Sequence, residues 1–193
     1  MKRVFENSGK TAFLDKCSFA NTELLETCIS EVSLLLEDRP EIIVFGKICK
    51  QQRQVGFFSD ESIGYRYSNK LMPSQPLSEN LTGLILAINE LLGTEFNGIL
   101  VNKYMDGNDY IGAHSDSEIG LDSAGVVALS FGAERTFRIR DKFSKKIVHE
   151  EQTTHCSILQ MGGDFQKLYT HEIPIQKKIK ETRVSITFRK HNL

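Results

Sequence analysis

The chain has 193 residues, of which 40% are hydrophobic and 25% charged, and its formal net charge is -1. A single domain of this size can bury a substantial core without disulfide or metal staples. The near-neutral balance argues against a tail-driven nucleic-acid binder that depends on many phosphate contacts, although a local basic patch remains possible. The four cysteines form no CxxC pair, so the sequence indicates neither a zinc ribbon nor a redox motif.

The hydropathy of the chain and its N-terminus favour a soluble, intracellular protein. No apolar run approaches the about 20 residues of a membrane span, and the first residues lack the apolar core of a secretory signal. We expect a nuclear location in a eukaryote and a cytoplasmic one in a bacterium or virus, with a monomer as the default. Residues 1–20 are polar and patternless, which predicts a flexible N-terminal arm before a single domain over 21–193.

Two helices are predicted in the N-terminal half. The first begins at Asn21, which can cap it, and apolar residues recur at helical spacing until Asp38-Arg-Pro40 stops it. A short β-type run at 41–45 and a segment of loops and hairpins up to residue 76 follow. Residues 78–92 have the clearest helical pattern, with Gly93 at the C-terminal boundary.

The remainder of the chain is predicted to form about eight short strands. Apolar runs alternate with turn signals such as Asp106-Gly-Asn and Met161-Gly-Gly-Asp. Two helices followed by these strands predict an α+β, mainly β fold, a sandwich or barrel with the N-terminal helices packed on one face. The predicted strands are GILVNKY, YIGAHSD, GVVALSF, ERTFRIR, KIVHEE, HCSILQM, HEIPI and TRVSITFR.

The tripeptide His114-Ser-Asp116 contains two potential metal ligands two residues apart. On a strand, this spacing places both side chains on one face. Such a tripeptide also arises by chance, and a histidine at a strand end is more often a hydrogen-bonded surface residue. With His171 as a third ligand, two histidines and one carboxylate would form the facial triad of non-haem Fe(II) oxygenases, which leaves three coordination positions open.

The last predicted strand, residues 182–189, alternates strictly between apolar and polar side chains. A polar face of this kind usually lies in water. If it points into a barrel, however, Arg183 and Arg189 would each require an anion, because an unpaired buried charge is costly. 2-Oxoglutarate has two carboxylates, and a guanidinium binds a carboxylate through two parallel hydrogen bonds. The same keto acid would chelate Fe(II) through two open positions and leave the third for O₂.

Five motifs occur in order along the chain: Asn102-Lys-Tyr104, His114-Ser-Asp116-Ser-Glu118, Ala128-Leu-Ser-Phe-Gly132, His171 and Arg183-Val-Ser-Ile-Thr-Phe-Arg189. Together they resemble the AlkB family of Fe(II)- and 2-oxoglutarate-dependent nucleic-acid demethylases, from about Val44 to Lys190. The resemblance implies a double-stranded β-helix (jelly-roll) catalytic core over 97–190. It also implies a nucleotide-recognition finger and lid over 44–76.

The resemblance also implies the roles of the site residues. His114, Asp116 and His171 are expected to hold the iron, with Arg189 as a further catalytic residue. Arg183 is expected to pair the distal carboxylate of 2-oxoglutarate. The residues expected to bind this co-substrate are Asn102, Tyr104, Arg183, Thr187 and Arg189.

Within the family, the chain most resembles the branch that repairs duplex DNA. Val44-Phe45-Gly46 is similar to a finger whose aromatic side chain fills the gap left by a flipped nucleotide, and Tyr65 and His114 are expected to sandwich the extracted base. The implied reaction removes the methyl group of 1-methyladenine or 3-methylcytosine as formaldehyde, with succinate and CO₂ as the other products. The residues expected to contact the substrate are Phe45, Arg53, Tyr65, Tyr67, Ser68 and Glu118.

Two alternatives remain open from the sequence. The same oxygenase chemistry could act on RNA or on another substrate. A catalytically silent nucleic-acid-binding barrel is the other alternative, and the complete set of triad and co-substrate residues argues against it. Basic residues at 138–146 and 177–180 are either phosphate contacts or solvated surface charges.

Overall fold

The computed structural model describes residues 1–44, 46–67, 70–116 and 125–191. The helices are α1 (Thr22–Val32), α2 (Glu79–Leu92) and α3 (Phe165–Leu168). The strands are β1 (Lys2–Glu6), β2 (Ala12–Ser18), β3 (Glu37–Asp38), β4 (Glu41–Val44), β5 (Lys47–Lys50), β6 (Gln54–Phe58), β7 (Gly64–Tyr67), β8 (Lys70–Pro73), β9 (Gly98–Tyr104), β10 (Ile111–His114), β11 (Val126–Gly132), β12 (Arg135–Asp141), β13 (Ile147–Thr153), β14 (Ser157–Gly163), β15 (Tyr169–Ile173) and β16 (Arg183–Arg189).

Two antiparallel sheets form the body of the protein. The larger sheet has the order β1-β2-β14-β11-β16-β9-β6-β3, and the smaller has the order β10-β15-β12-β13. One apolar core lies between them, with residues such as Leu159 and Met161 from the larger sheet and Phe137 and Ile139 from the smaller. Strands β4 and β5 form one separate hairpin, and β7 and β8 form another. This architecture confirms the predicted α+β, mainly β class.

Helices α1 and α2 cover the outer face of the larger sheet. The side chain of Asn21 accepts a hydrogen bond from the N–H of Leu24 and so caps α1, as predicted. Ser78 caps α2 in the same way, and Gly93 ends it with a φ of +65°. The first helix is shorter than expected, because the chain turns after Val32 and then pairs β3 with β6. Within the described ranges, no helix has both the length and the apolar character that a membrane crossing requires.

Strand β16 lies in the middle of the larger sheet, between β11 and β9. Its apolar residues Val184, Ile186 and Phe188 pack against the helices. Its other residues point toward the smaller sheet, since successive side chains of a strand alternate between its faces. All seven residues of β16 are buried, so its polar face lies inside the protein.

The prediction of a flexible arm over residues 1–20 is wrong. Strand β2 pairs with β14 along seven residues, from Ser157 opposite Ser18 to Gly163 opposite Ala12, and β1 continues the sheet. The side chains of Ala12 and Leu14 are completely buried in the core between the sheets. A pairing between residues 139 to 151 positions apart in the chain (157 − 18 and 163 − 12) leaves no local signal in a polar N-terminal segment.

The predicted turn at Met161-Gly-Gly-Asp is instead the end of β14. A Cβ atom at Gly162 would lie 2.2 Å from the ring of Phe13, so only glycine leaves room for that ring beside the strand. Gly163 has a φ of +62°, which glycine adopts at little cost. These two glycines therefore allow β2 to join the sheet.

We predict that Leu14→Ala lowers the free energy of unfolding by about 2–5 kcal/mol, because it leaves a cavity in the core. Leu34→Ala is the control, since Leu34 is 91% exposed and its replacement should change stability by less than about 0.5 kcal/mol. Both values would be measured by urea unfolding. An unchanged midpoint for Leu14→Ala would mean that the N-terminal strands are not docked.

Candidate active site

A cluster of two histidines and one aspartate lies at the edge of the smaller sheet. His114 of β10 and His171 of β15 are direct cross-strand partners, and their ring centroids are 4.3 Å apart. Asp116 follows β10 by two residues, and its Oδ2 lies 3.6 Å from Nε2 of His171. One potential ligand atom from each residue lies within 4.8 Å of the other two. The predicted triad is thus brought together, with the donor set of a non-haem Fe(II) site.

The electrostatics of this cluster suit a divalent cation. Burial lowers the pKa of His171 to about 3 and also lowers the pKa of His114, so both rings are neutral and have a lone pair to donate. Burial alone would raise the pKa of the Asp116 carboxyl. Arg189 and the two histidines outweigh that effect, so the pKa of Asp116 is lowered and the carboxylate is charged. Two neutral imidazoles and one carboxylate remain for the metal.

The metal ligands are themselves held by neighbouring groups. Nδ1 of His114 lies 2.9 Å from the carbonyl oxygen of Gly112, which leaves Nε2 for a metal. The β10–β15 ladder shifts register between Ile111 and His114, an irregularity of the kind that often lies beside active sites. The N–H of Asp116 donates to Oε1 of Gln166 in α3, at 2.9 Å. The sequence contained no signal for Gln166.

Arg183 provides a buried guanidinium on the other side of the same space. Its Nε donates to Oγ1 of Thr153 at 3.1 Å, and its Nη2 donates to Oγ of Ser130 at 3.0 Å. Its Nη1 is buried and has no hydrogen-bond partner among the residues that the structure describes. Burial lowers the pKa of Arg183 to about 10, which still leaves the group charged at neutral pH. A buried cationic donor without a partner is what a bound carboxylate would satisfy.

The remaining predicted co-substrate residues lie around Arg183. In the pairing of β16 with β9, Arg183 is opposite Tyr104 and Ser185 is opposite Asn102. The guanidinium carbon of Arg183 lies 5.3 Å from the centroid of the Tyr104 ring. Thr187 is buried on the same face of β16.

Arg189 joins the co-substrate side to the metal side. It is completely buried, and its Nη2 lies 3.6 Å from Oδ1 of Asp116. Its guanidinium carbon lies 4.7 Å from the centroid of the Tyr65 ring. The charge of Arg189 therefore acts directly on a predicted iron ligand.

A cavity of about 510 Å³ connects these groups. Its walls include apolar side chains from both sheets, such as Leu100, Phe137 and Ile173. Its lining, mostly apolar with a few convergent polar groups, is typical of a small-molecule site. The predicted metal and co-substrate residues that line it are Asn102, Tyr104, His114, Asp116, His171, Arg183, Thr187 and Arg189.

The predicted substrate residues are described only in part. Phe45, Ser68 and Glu118 lie outside the described residues. Tyr67 contacts the ring of His114 edge to face at 6.1 Å, so Tyr67 rather than Tyr65 makes the ring contact with this ligand. Tyr65 lies farther in, stacked on Phe57 at 5.9 Å, and it lines the cavity.

Arg53 is more internal than a lid residue was expected to be. It is 3% exposed, and its Nε donates to Oδ1 of Asn102 at 2.7 Å. Its guanidinium carbon lies 5.6 Å from the centroid of the Tyr67 ring. Arg53 therefore links the co-substrate side of the cavity to the β7–β8 hairpin.

Arg135 is a buried residue of the site region that the sequence did not single out. It is 1% exposed and donates to the carbonyl oxygens of Asp106, Asp109 and Pro174 at 2.8–3.1 Å. Its guanidinium carbon lies 5.7 Å from the centroid of the Tyr104 ring. The pattern ERTFRIR predicted a strand, but not which of its arginines would be buried.

Part of the predicted basic patch is engaged within the protein. Arg138 and Arg140 form ion pairs with Glu172 at 3.1 Å and 2.9 Å, and Arg138 also pairs with Glu150. Neutralised arginines contribute less to phosphate binding than free ones. The side chain of Lys142 donates to the backbone carbonyl of Gln166 at the edge of the site.

Residues 19–189 match the sequence profile of the 2OG-Fe(II) oxygenase superfamily. The DNA oxidative demethylase ALKBH2 of Mus musculus is 34% identical to this chain over 78% of this chain and 66% of its own length. The DNA oxidative demethylase ALKBH2 of Homo sapiens is 30% identical over 87% of this chain and 67% of its own length. The dioxygenase alkB homolog 3 of Rattus norvegicus is 36% identical over 65% of this chain and 46% of its own length. The chain spans 57–67% of the length of its ALKBH2 relatives.

The solved structure of OsALKBH1 aligns with 92% of this chain, and the alignment covers 97% of the OsALKBH1 chain, with a TM-score of 0.58 and 18% sequence identity. This structural similarity confirms the jelly-roll fold. The superfamily takes its name from 2-oxoglutarate and Fe(II), and the cavity contains side chains suited to bind both. On the evidence of the profile match and of the ALKBH2 relatives, this chain belongs to the 2OG-Fe(II) oxygenase superfamily and, within it, to the AlkB family.

Proposed function

We propose that this chain is an oxidative DNA demethylase that uses Fe(II), 2-oxoglutarate and O₂ to remove methyl groups from bases such as 1-methyladenine and 3-methylcytosine. The products are the repaired base, formaldehyde, succinate and CO₂. One observation carries the proposal: a single cavity joins the His114, Asp116 and His171 triad to the buried guanidinium of Arg183. The names of the ALKBH2 relatives support DNA as the substrate.

In this proposal, His114, Asp116 and His171 would hold the Fe(II). When bound, the iron supplies O₂ activation coupled to the oxidative decarboxylation of 2-oxoglutarate. Two hydrogen bonds position the metal ligands. The carbonyl oxygen of Gly112 accepts from Nδ1 of His114, and the side chain of Gln166 accepts from the N–H of Asp116. Asp116 and His171 are buried, and the low polarity around them strengthens the electrostatic interactions of the site.

Arg183 is the residue proposed to bind the distal carboxylate of 2-oxoglutarate. Hydrogen bonds to Ser130 and Thr153 hold the Arg183 side chain in one conformation, which leaves Nη1 available for the carboxylate. The guanidinium of Arg183 lies over the ring of Tyr104, whose hydroxyl can donate a hydrogen bond to the same carboxylate. The keto-acid end would then lie toward Asn102, Arg189 and the metal.

The substrate base is proposed to enter beside Tyr67 and to stack near the ring of His114. A base inside a duplex is out of reach of a buried metal, so the nucleotide must leave the stack, at the lowest cost where the lesion has already broken its pairing. The β4–β5 hairpin is a candidate finger for this step, because its described residues are largely exposed and the sequence motif Val44-Phe45-Gly46 connects its two strands. An apolar wedge would offset the cost of unstacking.

We predict that Asp116→Asn abolishes tight Fe(II) binding and lowers formaldehyde release by at least about 100-fold, because it removes the only carboxylate of the triad. Formaldehyde would be measured with a 1-methyladenine duplex, and Fe(II) binding by anaerobic calorimetry. His155→Ala is the control, since His155 is exposed and lies outside the triad. Full activity of Asp116→Asn would exclude the triad as the iron site.

We predict that Arg183→Lys raises the KM for 2-oxoglutarate about 10- to 100-fold, the effect of losing a charge-assisted hydrogen bond, while kcat changes less. A lysine keeps the charge but cannot form the two parallel hydrogen bonds. Arg138→Lys is the matched control, because Arg138 pairs with Glu150 and Glu172 on the smaller sheet. An unchanged KM would place the co-substrate elsewhere.

Phe45→Ala is predicted to lower demethylation of a methylated duplex by about 10-fold and to leave activity on the single-stranded oligonucleotide unchanged, since only the duplex requires a wedge. This prediction rests on the sequence motif, because Phe45 lies outside the described residues. Initial rates on the two substrates would be compared. Equal activity of the native chain on both, with no effect of the substitution, would remove the finger hypothesis.

A further inference from the structure

We propose that a second cavity, next to the candidate active site, binds an undamaged nucleobase that neighbours the lesion in the same strand. This inference rests on the proposed function and names a further subsite for its nucleic-acid substrate. The cavity has a volume of about 430 Å³ and lies between the β7–β8 hairpin and the segments around β4 and β6. Its apolar wall consists of Pro40, Ile42, Val55, Leu71, Met72 and Pro73.

A buried amide oxygen in this cavity indicates which chemical class it accepts. Gln51 is 6% exposed, and its Oε1 is buried without a hydrogen-bond partner among the described residues. Its backbone N–H donates to the carbonyl of Pro40 at 3.0 Å, which fixes the position of the residue. A donor from the occupant would satisfy this buried acceptor.

The charges around the cavity disfavour an occupant that is itself a carboxylate. Two acidic residues, Glu37 and Glu41, belong to its lining with one basic residue, Lys70. The Gln51 oxygen cannot accept a hydrogen bond from a carboxylate, because a carboxylate is an acceptor only. A second molecule of 2-oxoglutarate is therefore a poor fit, whereas a neutral heterocycle with an N–H group satisfies Gln51.

The aromatic residues of the cavity favour a flat occupant. Tyr65 and Tyr67 both line it, and their rings are nearly parallel, with an interplanar angle of 16° and centroids 6.1 Å apart. Because Tyr65 is stacked between Phe57 and Tyr67, a base would pack against the Tyr67 side of this aromatic pair. Such packing depends little on sequence, since every base has a π-face. Every base also carries at least one N–H donor for Gln51, in an exocyclic amino group or in the ring.

The position of the cavity indicates that its occupant comes from the damaged strand. Tyr65 lines both this cavity and the one that contains the triad, so the two occupants would lie on either side of one side chain. A strand that places a lesion in the first cavity carries its next base within reach of the second. Lys70 lines the second cavity as well and can neutralise the phosphate between the two nucleotides.

The test uses five-nucleotide single strands with 1-methyladenine at the centre, because they have no opposite strand to supply a base. The flanking positions carry either adenine or abasic sites. Kd would be measured anaerobically with 2-oxoglutarate and Mn(II) bound to the full chain. We expect abasic flanks to weaken binding by about 10-fold, the effect of losing one base stacked on aromatic side chains.

Two substitutions address the second cavity itself. Leu71→Trp fills it and should abolish the difference between adenine and abasic flanks, while Leu86→Trp on the outer surface of α2, where Leu86 is 62% exposed, should preserve it. Gln51→Leu removes the acceptor and should reduce the difference in Kd between adenine and abasic flanks. It therefore provides a second test if Leu71→Trp does not fold. A difference that persists in both Leu71→Trp and Gln51→Leu would overturn the proposal, as would equal affinities in the native chain.

Formaldehyde release from the adenine-flanked strand separates this proposal from the function on which it rests. No release from this strand or from a methylated duplex would contradict the proposed demethylase activity and the second subsite together. Release without any effect of the flanking bases on affinity would contradict the second subsite alone.

Discussion

Two arginines of β16, Arg183 and Arg189, are buried between the sheets, and the charge that they bring there constrains the rest of the site. β16 has neighbours on both sides and is covered on both faces, so neither guanidinium lies at the protein surface. A buried charge is tolerated only where opposite charge and hydrogen bonds compensate for lost hydration. Asp116 does so for Arg189, and hydroxyl groups do so in part for Arg183. In the proposed function, a carboxylate of 2-oxoglutarate would complete the compensation for Arg183.

The same strand geometry determines which side chains share the cavity. Opposite pairs such as Arg183 and Tyr104 on β16 and β9 lie on one face because the register aligns them. His114 and His171 are aligned in the same way on β10 and β15. A shift of one residue in either ladder would turn these side chains to the other face. The pairing of the strands is thus a precondition for the chemistry, and the helices on the outer face stabilise that pairing.

The sequence was most informative where the chemistry depends on residues close together in the chain. The alternation of β16 is confirmed. His114 and Asp116 are also brought together as predicted, although Asp116 lies beyond the end of β10 and not on the strand that the spacing predicted. Contacts between distant segments could not be predicted in this way. The pairing of β2 with β14, the hydrogen bond of Arg53 to Asn102 and that of Asp116 to Gln166 depend on the folded arrangement of both partners. The predicted roles of Phe45, Ser68 and Glu118 stay predictions, because these residues lie outside the described part of the chain.

The coupling between metal and 2-oxoglutarate binding is the most direct measurement of whether the triad and the arginines form one site. Calorimetry under argon would give the Kd of 2-oxoglutarate with and without Mn(II) in place of Fe(II). We predict that the metal lowers this Kd by about 10-fold or more, since the keto acid would contact the ion and Arg183 together, and that Asp116→Asn abolishes the coupling. Equal affinity for 2-oxoglutarate with and without the metal would contradict a shared site.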